Sequence, residues 1–598
     1  MKQGHLLLGT TGFAALLLCT APGARATMFT DVTVPAGVQV YTNVPWGAGV
    51  AWVDLNLDGK LDLLMVDGQG DPSRAFVSNG DGTFTDQAAA MGLVDTGYGK
   101  AYAPADIDND GDAEILLTNY DAAQPNRLWR NNGNGTFTDI SAGSGFDYTD
   151  QCTGAAWGDY DKDGDLDCSI TTYGYSHRDR LMKNLGGGHF VDVAQSLGIS
   201  DPTGWGYQPG WFDYDNDGDV DLYYGNDNFF GGTPNKLFRN NGDGTFTDVS
   251  VSSGANLGMS SMGLAFGDYD HDLDLDVYIS NIMTGNRLLR NNGNGTFTEV
   301  GEAAGVAVHQ ICWSVDFVDM DNDGWQDIYA AAFGNNMQDP DGTPNFIFEN
   351  MHNSSFSDIS QLSGANNGGV SYCTAWGDYD RDGDQDLVVT NYWDGDAFDL
   401  PCALYQNNHI PVGGSSNDWL EVELIGTVSN RDAVGARVTA VTPEFTLIRE
   451  QQDGTGFLSS SEHTIHFGLG ASGVVNTLTV RWPSGTIQTL TNVAGGQRIT
   501  IVEGVAAVDP GRAQAQLSIA PNPFHGSTEI RLSSKLDGTG ALRITDALGR
   551  AIRTLPVSDH VSWDGRNDQG TAVPAGIYYV RLEAKGGVLE SQKLIRVN

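Results

Sequence analysis

The chain has 598 residues, too many for one ordinary domain, and its 40% hydrophobic content supports folded structure over disorder. It carries 76 Asp plus Glu against 32 Lys plus Arg, a formal net charge of −44. This balance argues against nucleic acid as a partner, because phosphates call for clustered Lys and Arg.

Residues 1–26 read as a secretory signal: Lys2 supplies the positive charge, Leu6 to Leu18 the apolar core, and Ala24-Arg-Ala26 a small-residue cleavage site. Leu18 before Cys19 disfavours a lipoprotein signal. No later apolar run approaches the roughly 18 residues of a membrane span, so the expected product is exported, either soluble or held at the surface. Cys152, Cys168, Cys312, Cys373 and Cys402 remain after cleavage. The number is odd, so at least one is left over from intramolecular pairing, and Cys373 with Cys402 is the bridge expected. The absence of a CxxC pair disfavours zinc and thiol redox chemistry.

Residues 27–412 are built on a nine-residue stretch, clearest at Asp159-Tyr-Asp161-Lys-Asp163-Gly-Asp165-Leu-Asp167. Crowded carboxylates repel unless a cation sits among them, and a hard divalent cation takes oxygen ligands from such a loop: side chains at positions 1, 3 and 5, a carbonyl at 7 and a later acid. Gly164 at position 6 permits the sharp bend. Copies begin at Asp54, Asp106, Asp159, Asp213, Asp268, Asp319 and Asp378, 51 to 59 residues apart, and hold 32 of the 76 acids. Ordinary Asp-Gly turns would not recur in register in this way.

The candidate metal residues are therefore Asp54, Asn56, Asp58, Lys60 and Asp62 in the first copy, and Asp106, Asp108, Asp110, Asp112 and Glu114 in the second. Asp159, Asp161, Asp163, Asp165 and Asp167 follow, then Asp213, Asp215, Asp217, Asp219 and Asp221. The fifth copy offers Asp268, Asp270, Asp272, Asp274 and Asp276, the sixth Asp319, Asp321, Asp323, Trp325 and Asp327, and the seventh Asp378, Asp380, Asp382, Asp384 and Asp386. Lys60 and Trp325 stand at position 7, where only the carbonyl is needed. The fifth copy has Leu273 where glycine is expected, so its bend is strained or altered and its match to the pattern is the least complete of the seven.

Around each loop lie short β runs: in the third repeat Ala155–Trp157, Cys168–Tyr173, Arg180–Lys183 and His189–Asp192. A period near 54 with four such runs per period predicts a propeller with one four-stranded blade per repeat. The seventh repeat ends at Gln406-Asn-Asn408 without a Phe-Thr-Asp strand, and that missing strand stands at Phe29-Thr-Asp31. Seven blades then close into a ring if the N-terminal strand completes the last one. Gly154-Ala-Ala-Trp-Gly158 and Asn241-Gly-Asp-Gly-Thr-Phe246 resemble FG-GAP/VCBS-type repeats of integrin-like propellers. The resemblance implies calcium in the loop between the first two strands, up to seven ions in all.

Residues 413–503 lose the acidic loops. Ser429-Asn-Arg-Asp-Ala-Val-Gly-Ala-Arg-Val438, Gly454-Thr-Gly-Phe-Leu-Ser459, His466-Phe-Gly-Leu-Gly470 and Arg481-Trp-Pro-Ser-Gly485 resemble the ASPIC/UnbV domain. Propeller plus this domain is the architecture of the cartilage acidic protein family, which implies a secreted calcium-binding protein, often without known catalysis. Residues 504–516 read as a linker. In 517–598, Pro521-Asn-Pro-Phe524, Val561-Ser-Trp-Asp-Gly565 and Ala575-Gly-Ile-Tyr-Tyr579 are similar both to a FlgD-like immunoglobulin domain and to a type IX secretion sorting domain. The two patterns overlap and the residues do not separate them. Either one implies a bacterium with an outer membrane and contact with its export machinery; a plain β-sandwich spacer is the remaining alternative.

The expected fold is all-β: a seven-bladed propeller, a small β domain and an immunoglobulin-like sandwich. No Gly-x-Ser-x-Gly elbow and no HExxH is present. The propeller face opposite the metal loops is the expected ligand face. Topology places Trp46, Lys100, Tyr102, Trp205, Tyr207, Gln208, His309, Gln310 and Tyr372 there, with Tyr120, Tyr173, Tyr175, His177, Phe229, Tyr392 and Trp393. Aromatics with amides suit sugar stacking; packing between blades is the alternative for any one of them. A non-catalytic binding or adhesion module for carbohydrate or an extracellular protein is the first reading. A calcium-dependent polysaccharide lyase or hydrolase is the second, and it would need Lys100, His309 and Tyr372 to meet at the channel mouth.

Overall fold

The computed structural model describes residues 27–42, 44, 47–67, 72–95, 97–121, 123–174, 178–228, 232–282, 284–334, 344–392, 400–408, 417–505, 517–520, 522–532, 540–546, 550–556, 558, 560–584 and 587–597. The repeat region forms antiparallel sheets whose strands follow the chain order from the innermost outward. The third is Cys152–Gly158, Asp167–Thr172, Arg180–Asn184 and Phe190–Asp192. Sheets one, two, four, five, six and seven begin with Val50–Val53, Gly99–Ala105, Gly206–Phe212, Ser261–Gly267, Ile311–Val318 and Val370–Gly377. Each first and second strand is buried along nearly its whole length, because it lies between two neighbouring sheets. The all-β repeats of four-stranded sheets fit a propeller.

In the seventh sheet the outermost place beside Ala403–Asn407 is taken by Phe29–Asp31, with Phe29 opposite Asn407. Side-chain hydroxyls tie the inner strands of neighbouring sheets. Thr118 donates to the Thr153 carbonyl at 2.6 Å, Thr153 to Gly206 at 2.8 Å, and Thr390 of sheet seven to Ala48, just before sheet one, at 2.9 Å.

Most first strands carry a bulge near their start, for instance at Gly99/Tyr102, Gly206/Gln208 and Ser371/Thr374. An extra residue there reverses which face later side chains point to.

Residues 417–505 form two sheets over one core of Leu420, Val422, Val438, Phe467, Leu478 and Trp482. One sheet holds Asp418–Ile425, Thr464–Gly470 and Gln497–Val502, and the other Arg437–Val441, Thr446–Glu450, Val474–Arg481 and Ile487–Ala494. The C-terminal unit is a second pair of sheets around Ile530, Leu542, Trp563, Val580 and Leu594.

Between the two sheets of the middle unit the chain leaves its own domain. Ser459–Ser460 pairs in parallel with Val50–Ala51 of sheet one, and Gly456 bridges Leu264 of sheet five. Phe457 and Leu458 join the central cluster with Val50, Ala101, Tyr207, Met262, Trp313 and Cys373. The segment 453–461 therefore fills the middle of the repeat region.

The cysteine expectation is corrected: Cys152, Cys168, Cys312, Cys373 and Cys402 are all buried free thiols. Cys373 and Cys402 share the central cluster as small apolar residues, and burial pushes both thiols up to about 12.

Candidate metal centres

Each acidic loop joins the first and second strands of a sheet, and its own backbone shapes it. In the third loop, Asp159 accepts from the N–H of Asp163 and of Gly164, both at 3.1 Å, and Asp163 from Asp165 at 3.1 Å. Position 4 is left-handed in each loop, at Leu57, Asn109, Lys162, Asn216, His271, Asn322 and Arg381. Position 6 is left-handed too, and Leu273 adopts φ 72° where Gly164 has 93°. The bend in the fifth loop is thus strained, not altered: the Leu273 N–H still reaches Asp268 at 3.2 Å.

The position 9 acids are buried pins. Asp167 accepts from the Asn184 N–H at 2.8 Å, Asp221 from Asn240 at 2.7 Å and Asp386 from Asn407 at 2.8 Å, each on the third strand.

These turns bring carboxylates together. Oxygens of Asp106, Asp108 and Glu114 lie within 4.8 Å of one another, as do those of Asp159, Asp161 and Asp167, of Asp213, Asp215 and Asp221, of Asp268, Asp270 and Asp276, and of Asp319, Asp321 and Asp323. Burial, with neighbouring carboxylates adding, pushes Asp159 and Asp268 up to about 7 and Asp167 to about 9. Asp167 and Asp213 are 0% and 1% exposed, and one oxygen of each has no hydrogen-bond partner. Buried, unpaired carboxylate oxygens are costly unless a cation takes them. The donors are oxygens only, the set a hard divalent ion prefers. The residues present therefore fit such an ion, and several clusters could hold one.

Side chains at positions 4 and 7 do something the spacing did not predict. Asn109 donates to Asp165 at 3.0 Å, Lys162 pairs with Asp219 at 2.5 Å, and Asn216 donates to Asp274 at 2.5 Å. Asn322 reaches Asp384 at 2.8 Å, His271 the Gly324 carbonyl at 3.2 Å, and Arg381 the Gly59 carbonyl. Loops two to seven are thus each strapped to the next, the seventh to the first, while Leu57 gives the first loop no polar side chain at position 4, and the position 7 carboxylates of Asp165, Asp219, Asp274 and Asp384 face the strap. Trp325 at position 7 stacks on His271 at 3.6 Å.

The middle unit sits on this loop face. Asp432 accepts from the Asp106 N–H at 2.8 Å, Glu450 from Asp213 at 3.1 Å and Glu462 from Asp378 at 3.1 Å. Arg481 reaches Asp213 at 2.5 Å, while buried Arg437 pairs with Glu450 at 2.8 Å. From there segment 453–461 enters the centre. Gln208 is 0% exposed; its amide donates to the Gly454 carbonyl at 2.6 Å and accepts from the Leu458 N–H at 3.0 Å. The Phe457 N–H meets Ser314 Oγ at 3.1 Å. His466 bonds to Asn322 at 2.6 Å, a structural contact.

The expected ligand face divides. Lys100 is buried with its ammonium 4.7 Å from the Tyr98 ring and 5.2 Å from Tyr120. Tyr120, Tyr173, Trp205 and Tyr207 form a chain of ring contacts, and Tyr372 meets Trp313 at 4.9 Å and Tyr392 at 6.2 Å. Tyr98, half-buried, belongs to this group and was missed. Three expectations fail. Tyr102 faces Trp129 and Leu117 between sheets one and two, and Gln208 serves the central segment. His309 is 61% exposed on the rim, 3.2 Å from Glu302, while Lys100 and Tyr372 are buried. The bulges explain the first two, because they reset the alternation of side chains. Gln310 is half-buried. Trp46, Tyr175, His177, Phe229 and Trp393 lie outside the described residues.

Comparison with known proteins bears on this arrangement. An FG-GAP-like repeat model matches residues 54–117, 106–170, 168–224, 213–279 and 272–330. An ASPIC and UnbV model matches 426–508, and a FlgD Ig-like domain model 522–587. Cartilage acidic protein 1 of Xenopus tropicalis is 29% identical over 342 residues, covering 54% of this chain and 49% of that protein. The Homo sapiens protein is 27% identical over 297 residues, covering 47% and 41%. The chain spans about half the length of the curated relatives it matches. Among solved structures, PorZ of Porphyromonas gingivalis has a TM-score of 0.24 at 11% identity, covering 96% of this chain and 100% of that one. The lectin of Aleuria aurantia has a TM-score of 0.31 at 11% identity, covering 53% and 96%. Scores of that size carry no argument. The family models and the curated relatives do: the chain is a homologue of cartilage acidic protein 1 that carries, in order, FG-GAP-like repeats, an ASPIC and UnbV domain and a FlgD Ig-like domain.

Proposed function

We propose that the chain is an exported calcium-binding propeller that acts as a non-catalytic binding module for carbohydrate or an extracellular protein. In this reading residues 27–412 make a ring of seven blades closed by Phe29–Asp31, with an ASPIC/UnbV unit at 413–503, a linker at 504–516 and an immunoglobulin-like unit at 517–598. A signal at 1–26 directs export, and the C-terminal unit meets the export machinery. Among the described residues no helix is long and apolar enough to cross a membrane.

The observation that carries the calcium reading is the pair of buried carboxylate oxygens without hydrogen-bond partners, on Asp167 and Asp213, two residues that each belong to a cluster of three carboxylates. An ion bound there would take the two oxygens that the protein's own donors leave unpartnered. At about 1 mM calcium and a Kd of ~0.1 mM, each ion adds about 1.4 kcal/mol. Chelation is therefore expected to lower the melting temperature and calcium to restore it. The loss is expected to be larger at pH 8 than at pH 6. Carboxylates raised to about 7, such as Asp106, Asp159, Asp268 and Asp378, take up protons at pH 6 and relieve their own repulsion. An unchanged melting curve on metal-stripped protein would refute the reading.

The ligand face is the end of the sheets opposite the loops, where half-buried Tyr98, Tyr120, Tyr173 and Tyr392 surround the buried Lys100 region. Binding on a glycan array, lost in Tyr120→Ala and Tyr173→Ala, is the expected result. One observation favours an enzyme: burial lowers Lys100 to about 7, within reach of base chemistry. A product assay decides, since turnover lost and binding kept in Lys100→Ala selects the enzyme.

A further inference from the structure

In sheets one, two, four and five the turn between the third and fourth strands reads Asn-Gly-x-Gly-Thr, at 79–83, 132–136, 241–245 and 292–296. The middle residue is Asp81 in sheet one and Asp243 in sheet four, but Asn134 in sheet two and Asn294 in sheet five. All four side chains sit in the same cradle. Asn134 Oδ1 accepts from the Thr136 N–H at 3.1 Å and from the Thr136 hydroxyl at 2.7 Å, and Asn294 accepts from Thr296 at the same two distances. Asp81 accepts from Thr83 at 3.1 and 2.6 Å, and Asp243 from Thr245 at 3.1 and 2.5 Å. A carboxylate therefore fits this place as well as an amide does.

Two donors on one amide oxygen draw electron density from its carbon and stabilise the oxyanion that an attack on that carbon creates. Asn134 and Asn294 are exposed, so water reaches them. The residue after each supplies a nucleophile. The N–H groups of Gly135 and Gly295 have no hydrogen-bond partner among the described residues, and glycine has no Cβ to obstruct the approach. The first asparagine of each turn is set up the opposite way. Asn132 Nδ2 donates to Thr136 Oγ1 at 3.0 Å, its Oδ1 accepts from the Thr138 hydroxyl at 3.1 Å, and the Gly133 N–H that follows is tied to Asn131 at 3.1 Å. Asn292 repeats this with Thr296, Thr298 and the Gly293 N–H. Asn79 and Asn241 are held alike, with the Gly80 and Gly242 N–H groups engaged. Asn367 also precedes a glycine, but it is 5% exposed. Asn353 of sheet six shares the cradle of Asn134, accepting from Ser355, yet Ser354 and not glycine comes next.

We infer that Asn134 and Asn294 are sites of spontaneous deamidation, a modification that the other Asn-Gly pairs resist while the chain is folded. The Gly135 nitrogen bonds to Asn134 Cγ and the Cγ–Nδ2 bond breaks. Nδ2 leaves as ammonia, taking the proton that the Gly135 nitrogen gives up. The product is a cyclic imide. Water then opens one of its two carbonyl–nitrogen bonds, its hydroxyl going to the carbon and its proton to the nitrogen. Opening at the side-chain carbonyl leaves aspartate, and opening at the main-chain carbonyl leaves isoaspartate. Gly295 and Asn294 follow the same course. Aspartate keeps the contacts that Asp81 and Asp243 already make and adds one negative charge to the turn. Isoaspartate lengthens the backbone by one carbon and loses the match to the threonine.

Incubation of the folded full chain at mildly alkaline pH, followed by peptide mapping with fragment-level mass spectrometry, tests this. Asn134 and Asn294 should convert at least about ten-fold faster than Asn79, Asn132, Asn241 and Asn292, which must first give up the hydrogen bonds that hold the side chain and the following N–H. In urea-unfolded chain the difference should vanish, since every site then has the same Asn-Gly chemistry. Thr136→Val keeps the side-chain shape and removes one donor from Asn134 Oδ1. It should slow Asn134 about five-fold, the worth of one hydrogen bond, and speed Asn132, which loses its anchor. Asn294 in the same molecule is the internal standard, and its unchanged rate shows that the variant is folded. Equal rates at the exposed sites of the folded chain, or conversion led by Asn132 and Asn292, overturn the inference. So does a Thr136→Val variant in which Asn134 keeps pace with Asn294.

Discussion

Phe457 offers the sharpest test of the central segment. Its side chain is 0% exposed, 5.1 Å from the Trp313 ring and 5.8 Å from Tyr207, with no polar atom to compensate for a loss. Phe457→Ala removes a ring that the innermost strands of several sheets face, and their hydrogen bonds to Gly454, Gly456 and Leu458 prevent collapse onto the void. A truncation of this kind costs about 3–5 kcal/mol, the sum of lost transfer energy and an unfilled cavity. Phe457→Leu, closer in volume, should cost about 1–1.5 kcal/mol. Equilibrium urea unfolding at saturating calcium, followed by tryptophan fluorescence, reads both, since Trp313 lies against the altered site. The repeat region and the ASPIC/UnbV unit should shift together. A loss under about 1 kcal/mol for the alanine variant, or a transition of the repeat region that ignores it, would refute the placement of this segment.

Leu273→Gly should stabilise the protein by about 1 kcal/mol in thermal melts, because φ 72° strains leucine and not glycine, and a side chain 39% exposed gives up little packing. His463 adds a pH dependence. Burial opposes its charge, but the hydrogen bond to Asp453 at 3.2 Å and the charge of Asp432 outweigh it and raise its pKa above 6.5. Its contribution is complete below pH 6.5 and is lost as pH rises through the raised value. At saturating calcium, His463→Gln should flatten the fall in melting temperature between pH 6.5 and 8; an unchanged slope would count against the Asp453–His463 pair.

The repeat was legible because its determinants are local. Gly164 and its counterparts mark the bend, Asp159 and Asp167 mark the strand ends, and the Phe29-Thr-Asp31 phrase identified the strand that sheet seven lacks. The central segment was not legible, because Gln208 and Leu458 are far apart in sequence and neither declares the other. Position 4 carries no pattern in the sequence, since Asn109, Lys162, His271 and Arg381 share no chemistry; they share only a reach that matters once the loops stand side by side. Tyr102 and Gln208 were misplaced because a bulge cannot be read from alternation alone. The cysteines misled because two thiols near each other in a core pattern look the same whether they bond or merely pack.

The order of the chain gives the segment at 453–461 a consequence for assembly. Every sheet of the repeat region emerges from the ribosome before the residues that fill its middle. Until Phe457 and Leu458 arrive, Gln208 and Ser314 face an empty axis, and an incomplete repeat region exposes apolar surface that invites aggregation. A cut near residue 412, which respects the sequence boundary, would leave the chain in that unfinished state, so the unit of folding is larger than the unit of repetition.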